Sequence, residues 1–170
     1  MNTSETIRSR RSIRKYKKDA VIPQEHIEQI LEAAMMAPSA CNKRPWEFVV
    51  VENKELLQQL SSIQPHSTYP FQTASIGIVA CGRPDLQANV CEGFWPLDCG
   101  AAIQNMLLQA KELGYGTCWC GLYPIEKWVV KFQELLDVTS IPCGFIALGV
   151  PEEDPEARGY FDPERVKYIR

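Results

Sequence analysis

A layered fold of sheet and helices, α/β or α+β, is predicted for this 170-residue chain by three observations. Short β-branched or small apolar runs alternate with segments whose apolar residues recur at i, i+3, i+4 and i+7, the pattern of strands separated by helices. The composition, 45% hydrophobic and 23% charged with 10 Gly and 12 Pro, is that of a globular protein. The length matches about one domain of ~150 residues, and no repeat or low-complexity stretch divides it, so residues 1–170 are read as one domain. Periodicity leaves α/β and α+β unseparated.

The first element is a short helix near residues 3–9, capped by Thr3 or Ser4. Pro23 suits the first position of a second helix whose inner face is Ile27, Ile30, Leu31 and Ala34; it must stop before Pro38. Residues 48–51 read as a buried strand, and Asn53 caps a short helix with Leu56, Leu57 and Leu60 inward. Residues 62–74 read as loop, and 75–81 as a second strand. A long helix starts near Pro96 with Ile103, Met106, Leu107, Ala110 and Leu113 on one face, and Gly114 ends it. Residues 117–120 form a third strand, Pro124 opens a helix carrying Ile125, Val129, Phe132 and Leu136, and 145–150 form a fourth strand. The tail from Pro151 is polar and holds a capped helical turn at Asp162-Pro163-Glu164.

Charge is small overall, −3, but unevenly placed. Residues 1–18 carry seven basic side chains against Glu5 alone, a segment of +6 on a remainder of −9. Nucleic acid, an anionic membrane and a ligand phosphate are the anions such a segment could meet. No apolar run approaches the roughly 20 residues of a membrane span, and none follows the basic segment as in a signal peptide. The expected setting is the cytoplasm, with no membrane partner. Seven irregularly spaced cysteines in a chain of this size suit reduced thiols.

Three stretches could carry chemistry. Arg10-Arg11-Ser12-Ile13-Arg14 offers paired guanidinium donors and a hydroxyl to a phosphate, although a solvated basic surface has the same composition. Nucleic acid binding would want interleaved aromatics, and only Tyr16 is near. Residues 38–48 (PSACNKRPWEF) break a helix with proline and lead through Asn42 and Pro45-Trp46 into a strand. They form either a polar loop for the edge of a heterocycle or an ordinary connection anchored by Trp46. Residues 116–124 (GTCWCGLYP) join a strand to a helix through Gly121, where backbone amides can approach a flat ligand. Cys118 and Cys120 share one strand face and lack the further ligands that a metal site needs, so they read as small buried hydrophobes. His26 and His66 belong to no triad or zinc motif. Asp98 and Glu92 could pair as carboxylates, but Asp98 also suits the start of its helix. Neither a dinucleotide-binding nor a P-loop glycine motif is present.

In this order, Arg10-Arg11-Ser12-Ile13-Arg14, Pro38-Ser39-x-x-Asn42-x-x-Pro45-Trp46-x-Phe48, Asp98-x-Gly100-Ala101-Ala102-x-Gln104-Asn105 and Gly114-x-Gly116-Thr117-Cys118-Trp119 resemble the signatures of the nitroreductase family. The resemblance runs from about residue 4 to 150, with a looser tail. It implies an α+β fold with a central, mostly antiparallel sheet flanked by helices, built as an intertwined homodimer with FMN at two interfacial sites. Arg10, Arg11, Ser12 and Arg14 would hold the phosphate and ribityl end, with Arg158 as a further cation. Pro38, Ser39, Ala40 and Asn42 of the opposite subunit would line the isoalloxazine. Cys120, Gly121 and Leu122 would cross one ring face and offer an amide from Gly121 or Leu122. Arg44 replaces the usual Gln before Pro-Trp, and a covering helical insertion of larger members is missing. Tyr69, Phe71, Phe94 and Trp95 would then cover the pocket, or serve as core or dimer contacts.

The implied activity is hydride transfer from NADH or NADPH through FMN to a small acceptor, nitroaromatic, quinone or similar, with no catalytic side chain. Other flavin chemistry on the same fold (dehalogenation, dehydrogenation, flavin fragmentation) and non-catalytic binding are the alternatives. No nucleic acid partner and no metal are expected.

Overall fold

The computed structural model describes residues 2–170. Its elements are α1 (Thr3–Ser9), α2 (Gln24–Met35), β1 (Trp46–Val51), α3 (Lys54–Ile63), α4 (Pro65–Thr68), β2 (Ile76–Gly82), α5 (Trp95–Glu112), β3 (Gly116–Gly121), α6 (Glu126–Leu136) and β4 (Ile141–Gly149). The strands form one sheet in the order β1-β2-β4-β3, and every pairing between them is antiparallel. The fold is therefore α+β, as the resemblance implies.

Helices cover both faces of the sheet, because the two inner strands are apolar on both sides. On one face Ile78, Ile146 and Leu148 meet Ile30 of α2 and Ile103 and Met106 of α5. On the other, Val79, Phe145 and Ala147 meet Leu57 and Leu60 of α3 and Phe132 of α6. A side chain at Gly77 would enter the space of Phe145 and Leu57, which explains glycine in a central strand.

Four local expectations change. The cap of α1 is Asn2, whose side chain accepts the Glu5 amide at 3.0 Å while Glu5 accepts the Asn2 amide at 3.1 Å, so neither Thr3 nor Ser4 is needed. Residues 48–51 lie on an edge strand, with Val51 buried and 48–50 only partly covered. Residues 62–74 are largely helical: α3 reaches Ile63, α4 follows, and a 3₁₀ turn spans Tyr69–Gln72. The Thr68 hydroxyl donates to Ser61 O at 2.5 Å, and Phe71 stacks on Phe145, so this polar stretch is anchored by a few buried groups. The fourth strand begins at Ile141, four residues before the apolar run that marks it in sequence. Among the described residues no helix is long and apolar enough to cross a membrane.

Candidate functional site

The basic segment lies along the free edge of β3. Ser12 bridges Thr117 in parallel sense, the Ile13 amide donates to Thr117 O at 2.8 Å, and Tyr16 pairs with Pro151. The anchor is Tyr16, 1% exposed, whose hydroxyl donates to Ile13 O at 2.5 Å. Burial raises its phenol far above the ordinary range. Glycine is required where these residues cross the sheet, since a side chain at Gly116 would meet Ile13 and one at Gly149 would meet Tyr16.

Part of the basic segment is tied down within the chain. Glu153 accepts the Arg14 and Lys15 amides through one carboxylate oxygen, and the Arg11 guanidinium donates to Glu156 O. Arg158 follows two residues later, exposed, on the side of the tail that Arg11 secures. No ion pair among the described residues engages Arg10 or Arg14. Their field nevertheless reaches into the sheet: the neighbouring Cys120 thiol first, then Arg14 and Arg10, pull the Cys118 thiol below its ordinary range.

The register of β3 decides which amides are free. Leu122 N donates to Cys143 O at 3.1 Å, so even-numbered residues of this strand face β4, while Thr117 O and its odd-numbered successors face outward. The expectation of a Leu122 amide donor is therefore corrected: that amide is engaged, and the Leu122 side chain is fully buried. The outward amides belong to Trp119 and Gly121, and Gly121 is exposed with open space beside it. Cys120 turns inward, its thiol donating to Ser67 O at 2.8 Å and its backbone N–H and C=O facing β4, so it offers no polar group to this edge.

Residues 38–44 are shaped by strain. Cys41, Asn42 and Arg44 all adopt left-handed φ, at 51°, 52° and 49°. Such values in non-glycine residues cost on the order of 1 kcal/mol each and persist where other contacts enforce them. Here the Asn42 amide donates to Ser39 O at 3.0 Å and the Arg44 amide to Ser39 Oγ at 2.8 Å. The Arg44 guanidinium folds back toward Met35 O at 3.4 Å, the carboxyl end of α2. The Asn42 side chain stays exposed.

The group that fixes the loop is Asp98, in the first turn of α5 and only 7% exposed. It accepts the Ala40 amide with both oxygens, at 3.1 and 3.2 Å, and the Gln87 side-chain amide at 2.6 Å. Glu92 is not its partner but accepts the Asn89 amide at 2.9 Å. Gln87 is missed by sequence reasoning altogether, since a lone glutamine in a polar stretch gives no signal. The covering aromatics divide: Phe71 and Trp95 are core, with Trp95 filling the space over Gly82, while Tyr69 and Phe94 remain exposed.

The chain thus assembles two separate half-sites. No hydrogen bond or strand pairing among the described residues joins residues 38–44 to residues 10–14 or to 120–122. A cavity of about 120 Å³ beneath Arg10, Arg11 and Thr117 is far below the ~300 Å³ at which cofactor pockets begin. A larger groove, about 650 Å³ between α1, α2 and α5, contains none of the predicted residues. His26 contacts Tyr115 Oη at 2.7 Å, and no cluster of metal-ligating side chains occurs among the described residues.

The pattern of the Nitroreductase family matches residues 7–77 and 92–150, which include the basic segment, residues 38–44 and β3. A protein of Methanothermobacter thermautotrophicus that carries the provisional name NADH dehydrogenase/NAD(P)H nitroreductase is 42% identical over 168 residues, 98% of this chain and 86% of that one. A crystal structure from Parabacteroides distasonis with the same provisional name superposes with a TM-score of 0.91 at 31% identity, covering 99% of this chain and 98% of that one. An FMN-dependent nitroreductase of Clostridium difficile gives 0.87 at 30% identity, with 99% of both chains covered. Signature segments, sheet order and near full-length similarity point the same way: the chain belongs to the nitroreductase family.

Proposed function

We propose that two copies of this chain bind FMN at their interface and carry reducing equivalents from NADH or NADPH to a small acceptor such as a nitroaromatic or a quinone. The observation that carries this reading is the free edge of β3. It presents unpaired arginines near Thr117 and an outward amide at Gly121, four residues and about 13 Å apart at the rise of a strand. An elongated ligand with an anionic end and a flat, electron-rich end suits that spacing.

When bound, FMN supplies the redox chemistry, accepting hydride from the nicotinamide and releasing reducing equivalents to the acceptor. Arg10, Ser12 and Arg14 hold its phosphate end, with Arg158 approaching from the tail. The Arg11 guanidinium fixes the tail through one N–H to Glu156 O, and its remaining donors or its backbone join them at the phosphate end. The Gly121 amide donates toward the electron-rich edge of the ring and offers fixed polarity to the negative charge that develops there. Pro38, Ser39, Ala40 and Asn42 come from the second copy, which matches their separation from β3 within one chain. Exposed apolar side chains on the tail, Tyr160, Phe161, Tyr168 and Ile169, together with Leu97 and Met36, supply surface for that copy to cover.

The test is the visible spectrum of the purified protein, followed anaerobically as NADH and then NADPH are added. A flavin band that bleaches supports the reading. Absence of the band after incubation with excess FMN overturns it and leaves a non-catalytic protein on the same fold. A band that neither nucleotide bleaches leaves a flavin binder with different chemistry.

A further inference from the structure

Six of the seven cysteines lie near one another in pairs: Cys41 with Cys91, Cys99 with Cys143, and Cys118 with Cys120. Two pairs are closed to reagents in the folded protein, since Cys99 of α5 and Cys143 of β4 lie in the core and Cys118 and Cys120 are each 3% exposed. Cys118 and Cys120 are also two residues apart on one strand, which sets their Cα atoms about 6.6 Å apart, near the long limit for a disulfide. The remaining pair is different. Cys41 is the one exposed cysteine among the described residues, at the left-handed turn of residues 39–44. Cys91 is buried behind it, on the segment that precedes α5, with its sulfur 3.5 Å from the carbonyl oxygen of Ala40, the residue next to Cys41 in the chain.

We propose that Cys41 and Cys91 form a thiol–disulfide exchange site for low-molecular-weight disulfides. The Cys41 thiolate attacks one sulfur of the small disulfide, whose S–S bond breaks and releases one thiol, leaving a mixed disulfide on Cys41. Cys91 then gives up its proton and attacks the Cys41 sulfur, expelling the second small thiol. Two protein thiols and one small disulfide become one protein disulfide and two small thiols, so the protein loses two electrons and two protons. The order follows from access: Cys41 is exposed in the single chain and, in the dimer proposed above, lies on the loop that borders the ligand site, whereas Cys91 is buried, which pushes its thiol up and leaves it the slower, resolving partner.

The bond would tie residues 39–44 to the 84–94 segment, both of which already converge on Asp98. Any effect on flavin turnover rests on the function proposed above; formation of the bond does not.

The FMN-loaded protein is incubated with oxidised glutathione, its remaining thiols are alkylated under denaturing conditions, and intact mass and peptide maps are recorded. The expected result is loss of two alkylatable thiols and a Cys41–Cys91 linked peptide. Cys91→Ser should stop at one glutathione on Cys41, and Cys41→Ser should give neither product. A glutathione adduct that persists on Cys41 in the unsubstituted protein, a disulfide mapped to another pair, or an unreactive Cys41 overturns the proposal. Because the map needs no flavin, a linked peptide in protein that fails to retain FMN would count against the function and still support the site.

Discussion

Truncating Asp98 to alanine tests whether residues 39–44 are held ready for a ligand or merely connect α2 to β1. The carboxylate is buried and accepts two donors, the Ala40 amide at 3.1 and 3.2 Å and Gln87 Nε2 at 2.6 Å. Removing it strands both donors, and each unmet buried donor costs about 1–3 kcal/mol, or about 2–6 kcal/mol together. Gln87 suffers most, because its Oε1 is already buried without a partner. Part of that loss lowers global stability. The rest lets Cys41, Asn42 and Arg44 leave left-handed conformations that cost on the order of 1 kcal/mol each. A loop free to relax binds less often in its competent form, so FMN affinity should fall by about 10- to 100-fold. The assay is a quenching titration of FMN fluorescence beside a thermal melt of the flavin-free protein. Asp98→Asn is the informative control. It keeps one oxygen for Ala40 N, and its amide can donate to Gln87 Oε1 once that side chain flips, so affinity should stay within about threefold. An Asp98→Ala protein that melts early yet binds FMN like the unsubstituted protein would refute the positioning argument and reduce Asp98 to a fold residue.

The remaining predictions address the phosphate end, the anchor and the core. Replacing both Arg10 and Arg14 with alanine should weaken FMN binding by about 10- to 100-fold per guanidinium while leaving the melting temperature nearly unchanged, because neither arginine is in an ion pair among the described residues; full flavin retention would defeat the assignment. Tyr16, its pKa raised by burial, keeps its proton above pH ~10 where the unfolded chain releases it, so its stabilising contribution is present below that pH and declines above it at up to about 1.4 kcal/mol per unit. Urea melts should therefore show the unsubstituted protein losing ground to Tyr16→Phe as pH rises, and parallel curves would contradict the burial argument. Phe71→Ala removes a buried ring stacked on Phe145 and should cost about 3–5 kcal/mol in a urea melt, and a loss below about 1 kcal/mol would show that residues 65–74 only rest on the core.

The parts of the fold legible in the sequence are those with strong period. α5 announces itself through Ile103, Met106, Leu107 and Ala110, all buried, and ends at Gly114, whose φ of 86° is the conformation that glycine adopts freely. Residues 62–74 escaped because their order depends on isolated buried groups, Thr68 and Phe71, rather than on a repeating face. The edge position of β1 escaped for a different reason, since a run of valines suits an edge and an interior strand alike. At the site, residue types were legible and their engagement was not. Leu122 looks like an amide donor until the register with β4 shows its amide taken by Cys143 O. Asp98 looks like a helix start, which it is, but its carboxylate faces the Ala40 amide 58 residues earlier in the chain. Pairings at that separation leave no local trace in a sequence.

The separation of the two half-sites carries a consequence for cofactor binding that a complete site within one chain would not. If residues 38–42 of one copy and the β3 edge of another enclose the same ligand, ligand and partner each bind more tightly in the presence of the other. The free chain offers a cavity of about 120 Å³ at the arginines, against the ~300 Å³ or more of a cofactor pocket, so a monomer should hold FMN weakly through its phosphate end alone. Apparent FMN affinity should therefore fall as protein is diluted through the dimer dissociation range, and added FMN should shift sedimentation toward twice the monomer mass of 19.3 kDa. The Asp98→Ala protein should show a weaker version of that shift, because its loosened loop sits on the partner's side of the ligand. Affinity that stays constant on dilution into a demonstrably monomeric range would place the whole site within one chain, and residues 38–42 would then need a contact with β3 that their hydrogen bonding here does not provide.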